Sequence, residues 1–239
     1  MTSIGDILLI TAIPAGTMAM ASVVSLRRSP GSRARSAMQH FASGIVFAAV
    51  ATELVPDMVA GGRILPMLTG FILGVGLVLG IRVVDERGRS GGRRAAAGLL
   101  ASTAVDLLID GFLVGIGFGL SMSSGWLLVI AITFEVLFVG LSLAMILANR
   151  GLDRVRASIW VCLIGLLIPT GAVAGALLFE GLGGDWQIGI LAFGSAALLY
   201  LVTEELLVEA HDQGETVVGT SMFFVGFGSS LVLSMLLGH

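Results

Sequence analysis

Asp106 and Asp110 stand four residues apart inside an apolar stretch, so on a helix they share one face. Glu135 lies near the middle of the next apolar stretch, after the short connection 121–125. Carboxylates gathered at one depth make an oxygen-rich pocket for a hard cation, or a relay for protons. Glu53, Glu204 and Glu205 fall in other apolar stretches. A carboxylate near a bilayer centre costs about 2.5–3.5 kcal/mol on insertion scales, so three cost roughly 8–10 kcal/mol, comparable to the net stability of a domain. These stretches read as free of lysine and arginine, which assigns the neutralisation of the acids to protons, water or a bound cation.

The elements that hold them are set by composition. The chain has 239 residues, 56% of them hydrophobic and only 12% charged, and its mean hydropathy is +1.02. Soluble domains carry about 25% charged residues. Apolar runs long enough to cross a bilayer as helices recur at about 6–26, 37–58, 65–84, 97–120, 126–148, 158–179, 187–208 and 217–237. The expectation is an all-α polytopic membrane protein, one transmembrane domain over 1–239. The ten-residue alternating pattern of a β-barrel is absent. No basic region precedes the first apolar run, so it reads as a retained helix rather than a cleaved signal. Cys162 is the single cysteine, which leaves no internal disulfide.

The basic residues set the orientation. All 13 are arginine, and every one except Arg63 falls after helix 1, between helices 3 and 4 (Arg82 among them), or between helices 5 and 6. By the positive-inside rule that face is cytoplasmic and both termini lie outside a cell (inner) membrane. Anionic lipid is a lesser reading of the same arginines. Nothing points to nucleic acid.

The two ends of the chain resemble each other. Residues 41–57 and 193–209 align without gaps, pairing Phe41 with Phe193, Ser43 with Ser195, Val50 with Val202, Glu53 with Glu205 and Leu54 with Leu206. Ile13-Pro14-Ala15-Gly16 is echoed by Ile168-Pro169-Thr170-Gly171. Helices 1–3 thus match helices 6–8 in opposite orientation, an inverted 3+2+3 repeat with helices 4 and 5 at its centre. Such repeats mark secondary transporters with a midplane site. Pro14 and Pro169 each free a carbonyl one turn back and read as packing kinks or hinges.

These residues resemble the ZIP (Zrt/Irt-like) family of divalent-metal transporters over nearly the whole chain. Helix 4 of that family carries His-Asn-x-x-Glu/Asp-Gly, where this chain has Asp106, Leu107, Asp110 and Gly111. Helix 5 carries His-Glu-x-x-Glu-Gly, where this chain has Glu135, Val136, Val139 and Gly140. The run Glu53-Leu54-Val55-Pro56-Asp57 is similar to the helix 2 ending of the family, and Tyr200 to His211 to its helix 7 motif. The resemblance implies inward transport of a divalent metal by alternating access, with helices 1, 4, 5 and 6 moving against helices 2, 3, 7 and 8. It implies a homodimer. It also implies at most one metal site, Asp106, Asp110 and Glu135, because the places that form a second site elsewhere hold Leu107, Val136 and Ile168. The loss of both motif histidines shifts the expected cargo from zinc toward manganese, magnesium or iron, with zinc retained as a carboxylate-binding ion.

Glu53, Asp57, Glu204, Glu205, Glu209 and His211 read as acids and a histidine along the pathway. His40, like His211, reads as solvated at a helix end. Ser102, Thr103 and Thr133 are the hydroxyls nearest in sequence to the midplane acids, should those be protonated. Two other functions stay open: a proton-coupled carrier of a non-metal substrate, and a metal- or pH-responsive membrane scaffold that does not transport. An intramembrane aspartyl protease needs its two aspartates on facing helices; here both share one helix, so the chain reads as a non-enzyme without a cofactor.

Overall fold

In lipid every backbone N–H and C=O must be bonded within the protein, and each apolar run meets that demand as a helix. The computed structural model describes residues 3–27, 31–88, 93–212 and 217–237. Among them, eight helices are long and apolar enough to span a membrane: Ile4–Ser25, Ser32–Ala60, Ile64–Val83, Ala96–Leu120, Met122–Asn149, Arg154–Gly181, Asp185–His211 and Val217–Leu237, hereafter helices 1 to 8. Their starts follow local chemistry. Ser3 and Asp6 form a capping box on helix 1. Ser121 accepts the Ser124 N–H at the start of helix 5, and Asp153 accepts the Val155 N–H at the start of helix 6. Gly151 (φ 92°) and Gly184 (φ 55°) take the left-handed backbone that the tight connections around helix 6 require.

The prolines behave differently from one another. Helix 1 runs unbroken through Pro14. Helix 6 breaks into Arg154–Gly165 and Leu167–Gly181, a turn before Pro169, where the proline leaves a carbonyl without its usual donor.

The packing repeats in mirror order. Helix 1 packs on helix 5 as helix 6 packs on helix 4, and helix 2 packs on helix 8 as helix 7 packs on helix 3. The backbone detail repeats as well. Helix 2 carries a π-helical turn at Val50–Leu54 closed by Val55 N–H to Val50 C=O, and helix 7 one at Leu201–Leu206 closed by Leu207 N–H to Val202 C=O. These positions coincide in the alignment of the two halves. Each wide turn holds the acid of the aligned pair, Glu53 or Glu205, as π-turns do at functional positions.

The helices form two groups, 1/4/5/6 and 2/3/7/8, which meet mainly where helix 5 touches helix 2 and helix 4 touches helices 3 and 7. Helix 5 is the most enclosed, with 67% of its central window buried, against 17% for helices 3 and 8, which face outward. The centre is therefore helix 5, with helix 4 at the group boundary, rather than the two helices equally.

Glycines set the close approaches. A methyl group on Gly111 would collide with the Ile168 carbonyl, and one on Gly115 with the Ala172 carbonyl, so helix 4 lies backbone-to-backbone on helix 6. Gly140, the counterpart of Gly111 on helix 5, faces the Met18 carbonyl of helix 1. Gly76 on helix 3 has open space around it. Gly115→Ala is expected to lower stability in detergent by about 1–3 kcal/mol, as overpacking does, while Gly76→Ala leaves it unchanged or raises it. Equal melting temperatures for the two variants would refute the tight 4–6 contact.

Candidate metal centre

Helix 4 presents Asp110 and helix 5 presents Glu135 toward each other, and both side chains are 2% exposed. The two carboxyl groups are hydrogen-bonded to one another, with Asp106 and Glu205 close enough to act on them electrostatically. Two carboxyl groups bonded in this way hold a proton between them. Asp110 Oδ2 and Glu135 Oε2 are buried and have no hydrogen-bond partner in the protein. Buried orphan oxygens are costly and call for a ligand.

Beside the pair lies a small cavity lined by Asp106, Asp110 and Ile109 of helix 4, Val78 of helix 3, and Leu201 and Glu205 of helix 7. Its volume is about 10 Å³, room for roughly one water or one ion. It sits where the two helix groups meet. Asp106 is half-buried and Glu205 exposed. Among the described residues, no group of three or more His, Cys, Asp or Glu side chains is close enough to hold a metal ion. Asp106, Asp110 and Glu205 line one space, and Glu135 joins them through its bond to Asp110, without a coordination shell being formed.

The remaining acids have other surroundings. Glu53 is buried, not at an open mouth: Ser124 of helix 5 donates to its Oε2 at 2.6 Å, and Thr52 and Ser234 of helix 8 donate to its Oε1 at 3.0 and 3.3 Å. Glu53→Ala removes the acceptor of three hydroxyls and leaves a void, so it is expected to cost about 2–4 kcal/mol in a detergent melt, with Glu53→Gln nearer wild type. Asp57 is exposed at the same end.

Glu204 overturns the expectation that no basic residue answers the intramembrane acids. Arg82, within the helix 3 span, donates to Glu204 at 3.0 Å and to the Tyr200 hydroxyl at 2.9 Å. Both charges are about half exposed, so this pair contributes little to stability. Glu209 is held by Arg35 at 3.0 Å, beside Ser142. His211 is exposed, but its ring lies 5.1 Å from that of His40. His40 is buried, not solvated, with Nδ1 at 2.9 Å from the Ser36 carbonyl.

Ser102, Thr103 and Thr133 do not reach the midplane acids. Each hydroxyl bonds back to a carbonyl of its own helix, at Leu99, Leu99 and Val129, the usual alternative for a hydroxyl in a helix interior. Leu107, Val136 and Ile168 are fully buried among apolar side chains, so no second polar site adjoins the first at these positions. The reading of the sequence missed Arg82 and Tyr200 as partners of one another and of Glu204; the signal was the place of Arg82 inside the span 65–84.

Two comparisons bear on this geometry. The family described as ZIP Zinc transporter matches residues 85–234, a stretch that holds Asp106, Asp110, Glu135 and Glu205. The zinc transporter GufA of Myxococcus xanthus is 34% identical over 92 residues, which are 38% of this chain and 36% of that protein. The match thus spans about a third of the length of the curated relative.

Proposed function

The chain belongs to the ZIP zinc transporter family, and on that premise we propose that it carries a divalent cation across the membrane, inward, by alternating access through Asp106, Asp110 and Glu135. One observation carries the reading: Asp110 and Glu135, on facing helices, keep one buried oxygen each without a partner, and Asp110 lines a space of one ion's size. Glu205 lines the same space and acts as the ligand nearest the arginine-rich face. The position of the space between the two helix groups suits a gate, since a shift of one group against the other exposes it to one side or the other.

Cation entry displaces the proton held between Asp110 and Glu135, so uptake and proton release are coupled at the same oxygens. An all-oxygen donor set favours manganese, magnesium or iron(II); zinc, the ion for which the Myxococcus relative is named, also binds carboxylates. Arginine placement supports both termini outside.

The test is flux into liposomes carrying the purified protein, with manganese, iron, zinc, cobalt, magnesium and calcium supplied in turn. Saturable uptake of at least one supports the proposal. Absence of uptake for every ion, together with saturable binding, would instead make the chain a metal-responsive scaffold.

A further inference from the structure

A groove of about 830 Å³ runs along the lipid-facing side of helices 1 and 6. Its walls are small on helix 1 (Ala15, Gly16, Ala19) and larger on helix 6 (Cys162, Leu163, Leu166). At the arginine-rich face it meets a second, polar pocket of about 640 Å³ beneath the ends of helices 1 and 5. Leu26, Arg27 and Arg154 line both. We propose that the two spaces together bind one anionic phospholipid, its phosphate between Arg27 and Arg154 and an acyl chain along the groove.

The shape and charge match that molecule in order along the membrane normal. The groove is walled by apolar side chains at the depth of the helix spans. The polar pocket follows at the span ends, where a phospholipid changes from hydrocarbon to headgroup. Guanidinium groups are the side chains best suited to phosphate oxygens, because their planar fork presents paired donors. Arg154 is held in place by one of its five donors, which reaches the Leu26 carbonyl at 3.3 Å. Asp153 also lines the polar pocket, but its carboxylate caps its own helix by accepting the Val155 N–H at 3.2 Å. The first turn of helix 6 starts there, so its N–H groups add positive potential. Asn149 supplies an amide for headgroup hydroxyls. A zwitterionic lipid such as phosphatidylcholine offers the same phosphate, but its own ammonium group stands beside the two arginines and cancels part of the attraction.

An acyl chain in this groove lies against Leu166, at the break in helix 6, and against Pro169. Ile168, on which Gly111 is packed, is two residues from that break. The lipid therefore bears on the helix that supports Asp110.

Cys162 gives a reporter without mutation, because it lines the groove and is the single cysteine of the chain. The experiment uses the delipidated full chain in detergent. It titrates phosphatidylglycerol, phosphatidylcholine with the same acyl chains, or soluble glycerol phosphate, and follows retained lipid by native mass spectrometry and the rate of Cys162 alkylation by a maleimide. Phosphatidylglycerol is expected to be retained and to slow alkylation at concentrations where the other two do neither. The double variant Arg27→Gln/Arg154→Gln is expected to weaken phosphatidylglycerol about tenfold or more, as loss of two basic contacts implies, whereas Arg63→Gln at the opposite face does not. Equal retention of both lipids, protection by glycerol phosphate alone, or an unchanged double variant overturns the proposal. So does ready Cys162–Cys162 cross-linking, which would give the groove to a second copy. If the double variant fails to fold, the wild-type comparison of the two lipids at Cys162 still decides. None of these readouts depends on transport.

Discussion

Asp110→Asn is expected to reduce saturable cation flux by about 100-fold or more, while the protein keeps its thermal stability. The substitution is nearly isosteric. Asparagine still donates a hydrogen bond to the Glu135 carboxylate, so the contact between helices 4 and 5 survives. What disappears is the second negative charge that the buried pair offers once its shared proton has left. A divalent ion leaving water needs that charge, because a partly desolvated cation is held only by a matching number of anionic oxygens. Loss of outer-shell partners alone costs metal sites about 10–100-fold, and loss of a direct ligand costs more. In the empty protein the proton-sharing pair carries one negative charge before and after the substitution, so stability is kept. Flux is measured in liposomes and stability by a detergent melt of the same preparation. Full-rate transport by Asp110→Asn would remove the residue from the site, and a collapsed melt would make it structural.

Asp106→His is expected to raise the ratio of zinc to manganese flux about tenfold or more. Imidazole nitrogen suits zinc and later transition metals, whereas carboxylate oxygen suits manganese and magnesium. Asp106 is the right position for the exchange because it lines the ion-sized space and is only half-buried, so the larger ring can extend toward solvent. Glu135 is enclosed at 2% exposure and would meet a packing penalty as well as a change of ligand. The measurement is competition between the two ions at fixed total concentration. An unchanged ratio would show that Asp106 does not touch the cargo.

The membrane-spanning architecture and the repeat were legible in the sequence because both are local. A run of about 20 apolar residues has one stable answer in lipid, the helix. The aligned segments around Glu53 and Glu205 share their residues and also their π-turns, since the same side chains meet the same kind of neighbours in each half. The i, i+4 spacing put Asp106 and Asp110 on one face, and the structure keeps both at one cavity.

The surroundings of the other acids were not legible. Glu53 takes its hydroxyl partners from Ser124 and Ser234, which are 71 and 181 residues away in the chain. Arg82 answers Glu204 from 122 residues away. His40 lost its expected solvation because the end of helix 7 folds over it, with the Ala210 carbonyl accepting from Ser36 one turn earlier. The hydroxyls closest in sequence to the acids, Thr103 and Thr133, turned to their own helices, since an i−4 carbonyl is always within reach and a neighbouring helix is not.

The amino-acid order alone determined that this protein crosses the membrane eight times, that its ends mirror each other, and that unusual negative charge lies within its helices. Those properties follow from short stretches of chain meeting a uniform solvent. Only the tertiary structure decided which acids face one another, which are answered by arginine or hydroxyl, and where an ion-sized space remains. Such choices depend on which helix faces close together, and glycine contacts such as Gly111 on Ile168 fix that closure between residues far apart in the chain.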